Sequence, residues 1–209
     1  MKKVNASQLY KKQHVDNNDE RLGQFLLLAE KYSVQSALYP GCYFHITPSF
    51  VFPLVTYIDT DKRAKKFFED SSIYDYISKH KLYKANPVVH FHAEDYRESS
   101  LKIERKYDLL ISQWAGFISQ YCKRYLKIGG LLLANNSHGD ASMASIDENY
   151  SLVGILNKRD DKYTLSDKDL DSYFIPKRAV IITKEYLESI GKGIGYTKSP
   201  TAYLFKRIG

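Results

Sequence analysis

The segment Ala37–Asp61, ALYPGCYFHITPSFVFPLVTYIDTD, constrains the fold more than any other part of the chain. A short apolar run ends at Tyr39-Pro40-Gly41, an aromatic turn leads to Thr47-Pro48-Ser49, and a second apolar run, Val55–Ile58, ends at Asp59. Runs this short and this apolar read as strands buried on both faces. Thr47 as N-cap with Pro48 at the first helical position is a helix start, and Pro53 must end that helix after little more than one turn. A strand, a glycine and an acid about 20 residues on are what an open α/β sheet needs to hold a ribose-bearing cofactor at the carboxyl ends of its strands. Gly41 has no Cβ to keep the backbone away from a ligand. The Asp59 carboxylate is placed to accept hydrogen bonds from ribose hydroxyls.

The rest of the chain continues the alternation. Asn17 and Glu20 have capping-box spacing, and Leu22, Phe25, Leu26 and Ala29 then share one face of a helix ending near Tyr32. Lys62–Glu69 reads as a helix with Ala64, Phe67 and Phe68 inward. A second helix from Ser72 carries Ile73, Tyr76 and Ile77. Val88–Phe91 and Asp108–Ser112 read as strands, residues 100–106 and Gly116–Leu126 as helices, and Gly129-Gly130 as a turn into a strand at Leu131–Ala134. Strand, helix and strand follow at Ala179–Thr183, Lys184–Ile190 and Ala202–Lys206. Strands alternating with helices imply right-handed crossovers and a doubly wound sheet. Residues 1–16 are polar and irregular or loosely helical, and the polar region 141–175 lacks a period and is expected to be a lid or insertion. No repeat, low-complexity tract or linker divides the chain, so 1–209 is expected to form one domain.

Composition bounds the partners. Hydrophobic residues make up 44% of the 209, enough for a sizeable core. No apolar run reaches the ~18 residues of a membrane span, and the N-terminus lacks the apolar core of a signal peptide. Two cysteines and no CxxC suit a reducing cytoplasm. The net charge of +7 and the 18 tyrosines would fit a nucleic-acid binder. The lysines, however, are dispersed at helical spacing, the pattern of solvated faces.

By the fifth predicted strand the chain resembles the class I S-adenosylmethionine (SAM) methyltransferase family, over about residues 20–208. Four places carry the resemblance: ALYPG, VTYIDTD, VVHFHAEDYRE and YDLLISQWAG…LKIGGLLLANN. It implies a Rossmann-like α/β fold with a doubly wound sheet of about seven mostly parallel strands. It implies SAM as cofactor, S-adenosylhomocysteine as product, and cofactor contacts from Tyr39, Gly41, Asp59, Glu94, Asp95, Gln113 and Trp114. Asp59 would take the ribose, Asp95 the adenine amine, and Trp114 would border the adenine and acceptor pockets.

There are departures from the family pattern. The first loop has a single glycine, followed by Cys42 and Tyr43. Neither Asp/Asn-Pro-Pro-aromatic nor Pro-Cys occurs, so the usual routes to DNA bases have no support, and the acceptor is expected to be a small molecule. Its pocket is expected beside Tyr43, Trp114 and the Asn135–His138 loop. The strand before that loop ends in Asn135-Asn136 rather than acids, so no metal is expected. A base is needed only where the acceptor must lose a proton, and His138 and His45 are the candidates. His90 and His92 read as packing residues. Three other readings stay open: a non-catalytic methyltransferase-like module, a nicotinamide-dependent oxidoreductase and a nucleic-acid-binding protein.

Overall fold

Short apolar runs separated by helix signals leave each strand to be covered by the helix that follows it, and the computed structural model has this form. It describes residues 5–160 and 162–209 and divides into two compact units, one up to Leu101 and one from Lys102 onward.

The first unit carries strands β1 (Ser36–Pro40), β2 (Leu54–Ile58) and β3 (Val88–His92), in the order β3-β2-β1. Both pairings are parallel, with Tyr57 opposite Tyr39 on one side and Phe91 on the other. All five residues of β1 are buried, as expected of a strand covered on both faces. The helices are α1 (Ala6–Tyr10), α2 (Leu22–Lys31), α3 (Pro48–Val51), α4 (Lys62–Phe68) and α5 (Ser72–His80). Pro48 opens α3, and Phe52-Pro53 ends it within about one turn. Asp61 caps α4 by accepting the Arg63 N–H. The core is aromatic: Tyr10, Phe25, Tyr39, Phe52 and Tyr57 are fully buried.

The second unit holds β4 (Tyr107–Ser112), β5 (Leu126–Ala134), β6 (Tyr150–Arg159), β7 (Lys162–Ser166) and β8 (Ala202–Arg207). Their order is β4-β5-β8-β6-β7. β4 and β5 are parallel, while β8 runs antiparallel between β5 and β6, with Phe205 facing Leu132 on one side and Leu152 on the other. Its helices are α6 (Ile118–Tyr121), α7 (Asp140–Ser145) and α8 (Lys184–Ile190). Eight strands lie among the described residues where about seven were expected: β6 and β7 add an antiparallel pair in the region read as a lid, and the strand expected at Ala179–Thr183 does not form.

Several expected elements are corrected. Residues 100–106 are not helical; only Leu101 is buried at their start, and no apolar face follows. Gly116–Leu126 contains just the short α6 and a 3₁₀ turn, Lys123–Tyr125, because Phe117 sits in the left-handed region at φ +56° and delays the helix start. Gly129-Gly130 is not a turn before the strand but a kink inside β5. A Cβ on Gly130 would lie 2.8 Å from Leu126 Cδ1 and 2.9 Å from the Lys127 carbonyl oxygen. Asn17 does not cap α2. Its amide donates to the Lys12 and Gln13 carbonyls and closes a π-helical turn at Lys11–Val15, while Glu20 accepts from the Tyr10 hydroxyl. Ala179–Thr183 is irregular. Its alternation is real, since Val180 and Ile182 pack on Met143, Leu187, Ile194 and Tyr196, but Ile181 is 85% exposed and no ladder bonds form there.

Candidate functional site: the strand ends of each unit

In the first unit the site is built on the turn after β1. Gly41 takes φ +64° and donates its N–H to the Ile58 carbonyl at 2.8 Å. Tyr43 also sits in the left-handed region, at φ +48°, which costs a non-glycine residue roughly 1–2 kcal/mol. The Asp59 carboxylate offsets that strain. One oxygen accepts the Tyr43 N–H at 2.8 Å and the other accepts the Asp61 N–H at 2.9 Å. The acid at the end of β2 therefore fixes the shape of the Gly41–Tyr43 turn. An ionised carboxylate has about four acceptor positions, so an unused one remains on each oxygen. That arrangement fits a vicinal diol such as a ribose. Cys42, the residue after Gly41, is fully buried. Burial pushes its thiol pKa well up, and its Sγ faces the Tyr43 and Ile58 carbonyls, so it packs rather than reacts.

Two candidates from this segment belong to the core instead. The Tyr39 ring is fully buried, with burial raising its pKa, and its hydroxyl is 3.2 Å from His45 Nδ1. His45 is also fully buried, and its Nε2 lies 2.9 Å from the Glu20 carbonyl. A carbonyl only accepts, so Nε2 carries the proton, and Nδ1 then accepts from Tyr39. Burial, then the neighbouring His14 and Arg21, hold the His45 pKa well below the ordinary histidine value. A neutral imidazole with both nitrogens engaged and no exposed surface cannot serve an external acceptor, which corrects the reading of His45 as a base. Tyr39 likewise contributes packing and not a cofactor contact.

Beyond β3, Glu94 is exposed, with His92 Nδ1 3.7 Å away. Asp95 is committed to Arg97. It accepts from the Arg97 backbone N–H at 2.9 Å and from its guanidinium at 2.5–3.0 Å, and these hydrogen bonds lower its pKa. An adenine amine would have to compete with that fork, so Asp95 is a poorer acceptor than its position promised.

In the second unit hydrogen bonds tie the strand ends to α6 and α7. Ser112 ends β4, and its hydroxyl donates to Asp140, the first residue of α7. Asp140 also accepts the Ser119 N–H at 3.0–3.1 Å and the Ser119 hydroxyl at 2.5 Å. It is fully buried, and burial raises its pKa against the opposing pull of these donors. The Asn135 amide donates to the Gln113 carbonyl, and the Asn136 carbonyl oxygen of the side chain accepts from Ser142. Gln113 is buried beneath, while Trp114 is 44% exposed and His138 is exposed on top. His138 Nδ1 pairs with the Ser137 hydroxyl at 3.0 Å, and its Nε2 has no partner among the described residues. Sequence reading stopped at His138 and missed Asp140. The only signal was an acid directly after Gly139, itself at φ +84°, which is a helix-start pattern.

No protein-family model and no curated protein sequence matches the chain. Solved structures do. A Klebsiella pneumoniae protein assigned as an O-methyltransferase aligns at TM-score 0.50 and 12% identity, over 69% of this chain and 76% of that one. TomG, an O-methyltransferase from Streptomyces achromogenes solved with SAM, aligns at TM-score 0.50 and 11% identity, over 78% and 88% of the two chains. The likeness is one of fold: this chain has the Rossmann-like α/β fold of class I SAM-dependent methyltransferases.

Proposed function

We propose that the chain is a SAM-dependent methyltransferase acting on a small-molecule acceptor. The observation that carries this reading is the Asp59 carboxylate, oriented by the Tyr43 and Asp61 amides and keeping acceptor capacity beside the Gly41 turn. SAM supplies an electrophilic methyl group, so the protein's part is binding, orientation and, where needed, removal of a proton from the acceptor. Gly41 and Asp59 hold the ribose. Trp114 offers an exposed aromatic face for a purine or a flat acceptor. His138 is the base, its Nδ1 held by Ser137 and its Nε2 left to take a proton. A nicotinamide dinucleotide is disfavoured because Cys42 and Tyr43 stand where a pyrophosphate needs a second close backbone approach.

The test is transfer of labelled methyl from SAM. Small phenols and amines, DNA and RNA are offered in parallel. Label in one of the small molecules supports the proposal, and label only in nucleic acid contradicts it. Tyr43 in the place of a glycine favours a second reading, a module that binds SAM without turnover. Saturable SAM binding with no label in any acceptor supports that reading.

A further inference from the structure

β3 ends the strand order of the first unit, so one of its edges has no strand beside it. The groups on that edge follow from the pairing with β2. Val88 donates its N–H to the Pro53 carbonyl at 2.8 Å, and the His92 carbonyl accepts from the Asp59 N–H at 3.1 Å. In a parallel ladder with Leu54 opposite Val88 and Ile58 opposite His92, residues 88, 90 and 92 turn both backbone groups toward β2. Val89 and Phe91 therefore turn their N–H and C=O outward. These outward groups have no hydrogen-bond partner among the described residues.

Edge strands are ordinarily blunted by lysine, proline, a bulge or a covering element. β7 in the second unit follows this rule, opening with Lys162 opposite Arg159 of β6. β3 does not. It reads Val-Val-His-Phe-His and keeps an unbroken register with β2 at every position. Val88 is 42% exposed, His90 is exposed, and no helix follows β3 before β4 among the described residues.

The outward groups match those of a second β3 run antiparallel about a two-fold axis through His90. Val89 then lies opposite Phe91 of the other copy, and the two exchange both N–H···O=C bonds. Phe91 does the same with the other copy's Val89, so every outward group is used. On the exposed face Val88 meets His92 of the other copy, and His90 meets its own counterpart. Beyond the strand ends, the same axis brings Glu94 alongside residues 84–86 of the other copy. Glu94 and Lys84 are both exposed, and Lys84 has no ion-pair partner among the described residues. A basic residue before the strand and an acidic one after it attract in an antiparallel pair. A parallel pair would set each against its like.

We propose that β3 is a self-association edge, where two copies of this chain join antiparallel about His90 into one continuous sheet. The inference stands on β3 and its flanks and does not depend on SAM binding. A five-residue strand is short against the roughly 20–30 residues a side of a standard interface, so the dimer is weak and concentration-dependent. The test is sedimentation equilibrium of the full chain at low salt, from micromolar to millimolar concentration, with amide hydrogen exchange followed by NMR. Reversible dimerisation is expected, with exchange at the Val89 and Phe91 amides slowing as concentration rises. His90→Lys, an exposed change, sets like charges against each other across the axis and should weaken the dimer roughly two- to fivefold; His90→Glu should do the same. Mixing the two variants should restore pairing, because residue 90 of one copy faces residue 90 of the other. If either variant fails to fold, exchange in the wild-type protein decides. A monomer at millimolar concentration, exchange at Val89 and Phe91 that ignores concentration, or a mixture of folded variants that pairs no better than either alone would each overturn the proposal.

Discussion

The Asp59 carboxylate holds Tyr43 in a left-handed turn, and in the proposed function it also accepts from a ribose. Asp59→Ala should therefore weaken SAM binding by about 1.5–3 kcal/mol, the range for hydrogen bonds to a charged group, as read by calorimetry. Unchanged affinity would remove Asp59 from the site. If His138 is the base of the proposed function, His138→Ala should lower turnover by roughly 10²–10⁴ with cofactor affinity nearly unchanged, because a base acts on the acceptor. Asp140 is a matter of stability. Asp140→Ala leaves the Ser112 and Ser119 hydroxyls and the Ser119 N–H without their buried acceptor. It should cost roughly 2–4 kcal/mol in urea unfolding. The left-handed turn at Gly41 and the place of Asp59 at the end of β2 were legible in the sequence because both depend on local spacing after two strands. Tyr39, His45 and Asp140 were not, because their roles depend on which way a side chain points once Tyr43 has turned left-handed, and on partners as distant in sequence as Ser112 is from Asp140.

The elements show where local signals suffice. α3, α4, α5, α8 and the strands β1 to β4 fall within a residue or two of the sequence reading, since Pro48, Asp61 and short apolar runs act through near neighbours. The failures needed tertiary information. Val180 and Ile182 alternate like a strand but pack on a helix-bounded cluster, and β6 pairs on its other side with β8, far along the chain. Close approach between segments makes a further prediction. A Cβ on Gly193 would lie 1.9 Å from the Asn136 carbonyl oxygen, so Gly193→Ala must push the Asn136 loop away. It should cost roughly 1–3 kcal/mol. Gly195→Ala is the control, since its nearest neighbour, Lys177 Cδ, is 3.9 Å away, and it should stay within about 0.5 kcal/mol. Equal thermal shifts for the two variants would contradict the placement of this loop.

At the scale of the whole molecule, acid should reach the protein first through its buried histidines. His14 is buried with neither ring nitrogen hydrogen-bonded, and it packs 4.8 Å from the His45 ring. Burial lowers the pKa of both. Between the folded and unfolded values the unfolded chain binds more protons. Their contribution to stability is therefore complete above the ordinary histidine pKa of about 6.5 and is lost as pH falls through the depressed folded values. Melting temperature should drop as pH falls below about 6.5, and His14→Leu should reduce that drop; a slope unchanged by the substitution would contradict this. The central claim concerns the cofactor, and calorimetric titration of the wild-type protein with SAM, S-adenosylhomocysteine and NAD tests it most directly. Saturable binding of the first two and none of NAD is expected. Failure of both adenosyl compounds to bind at millimolar concentration, or binding of NAD in their place, would contradict it.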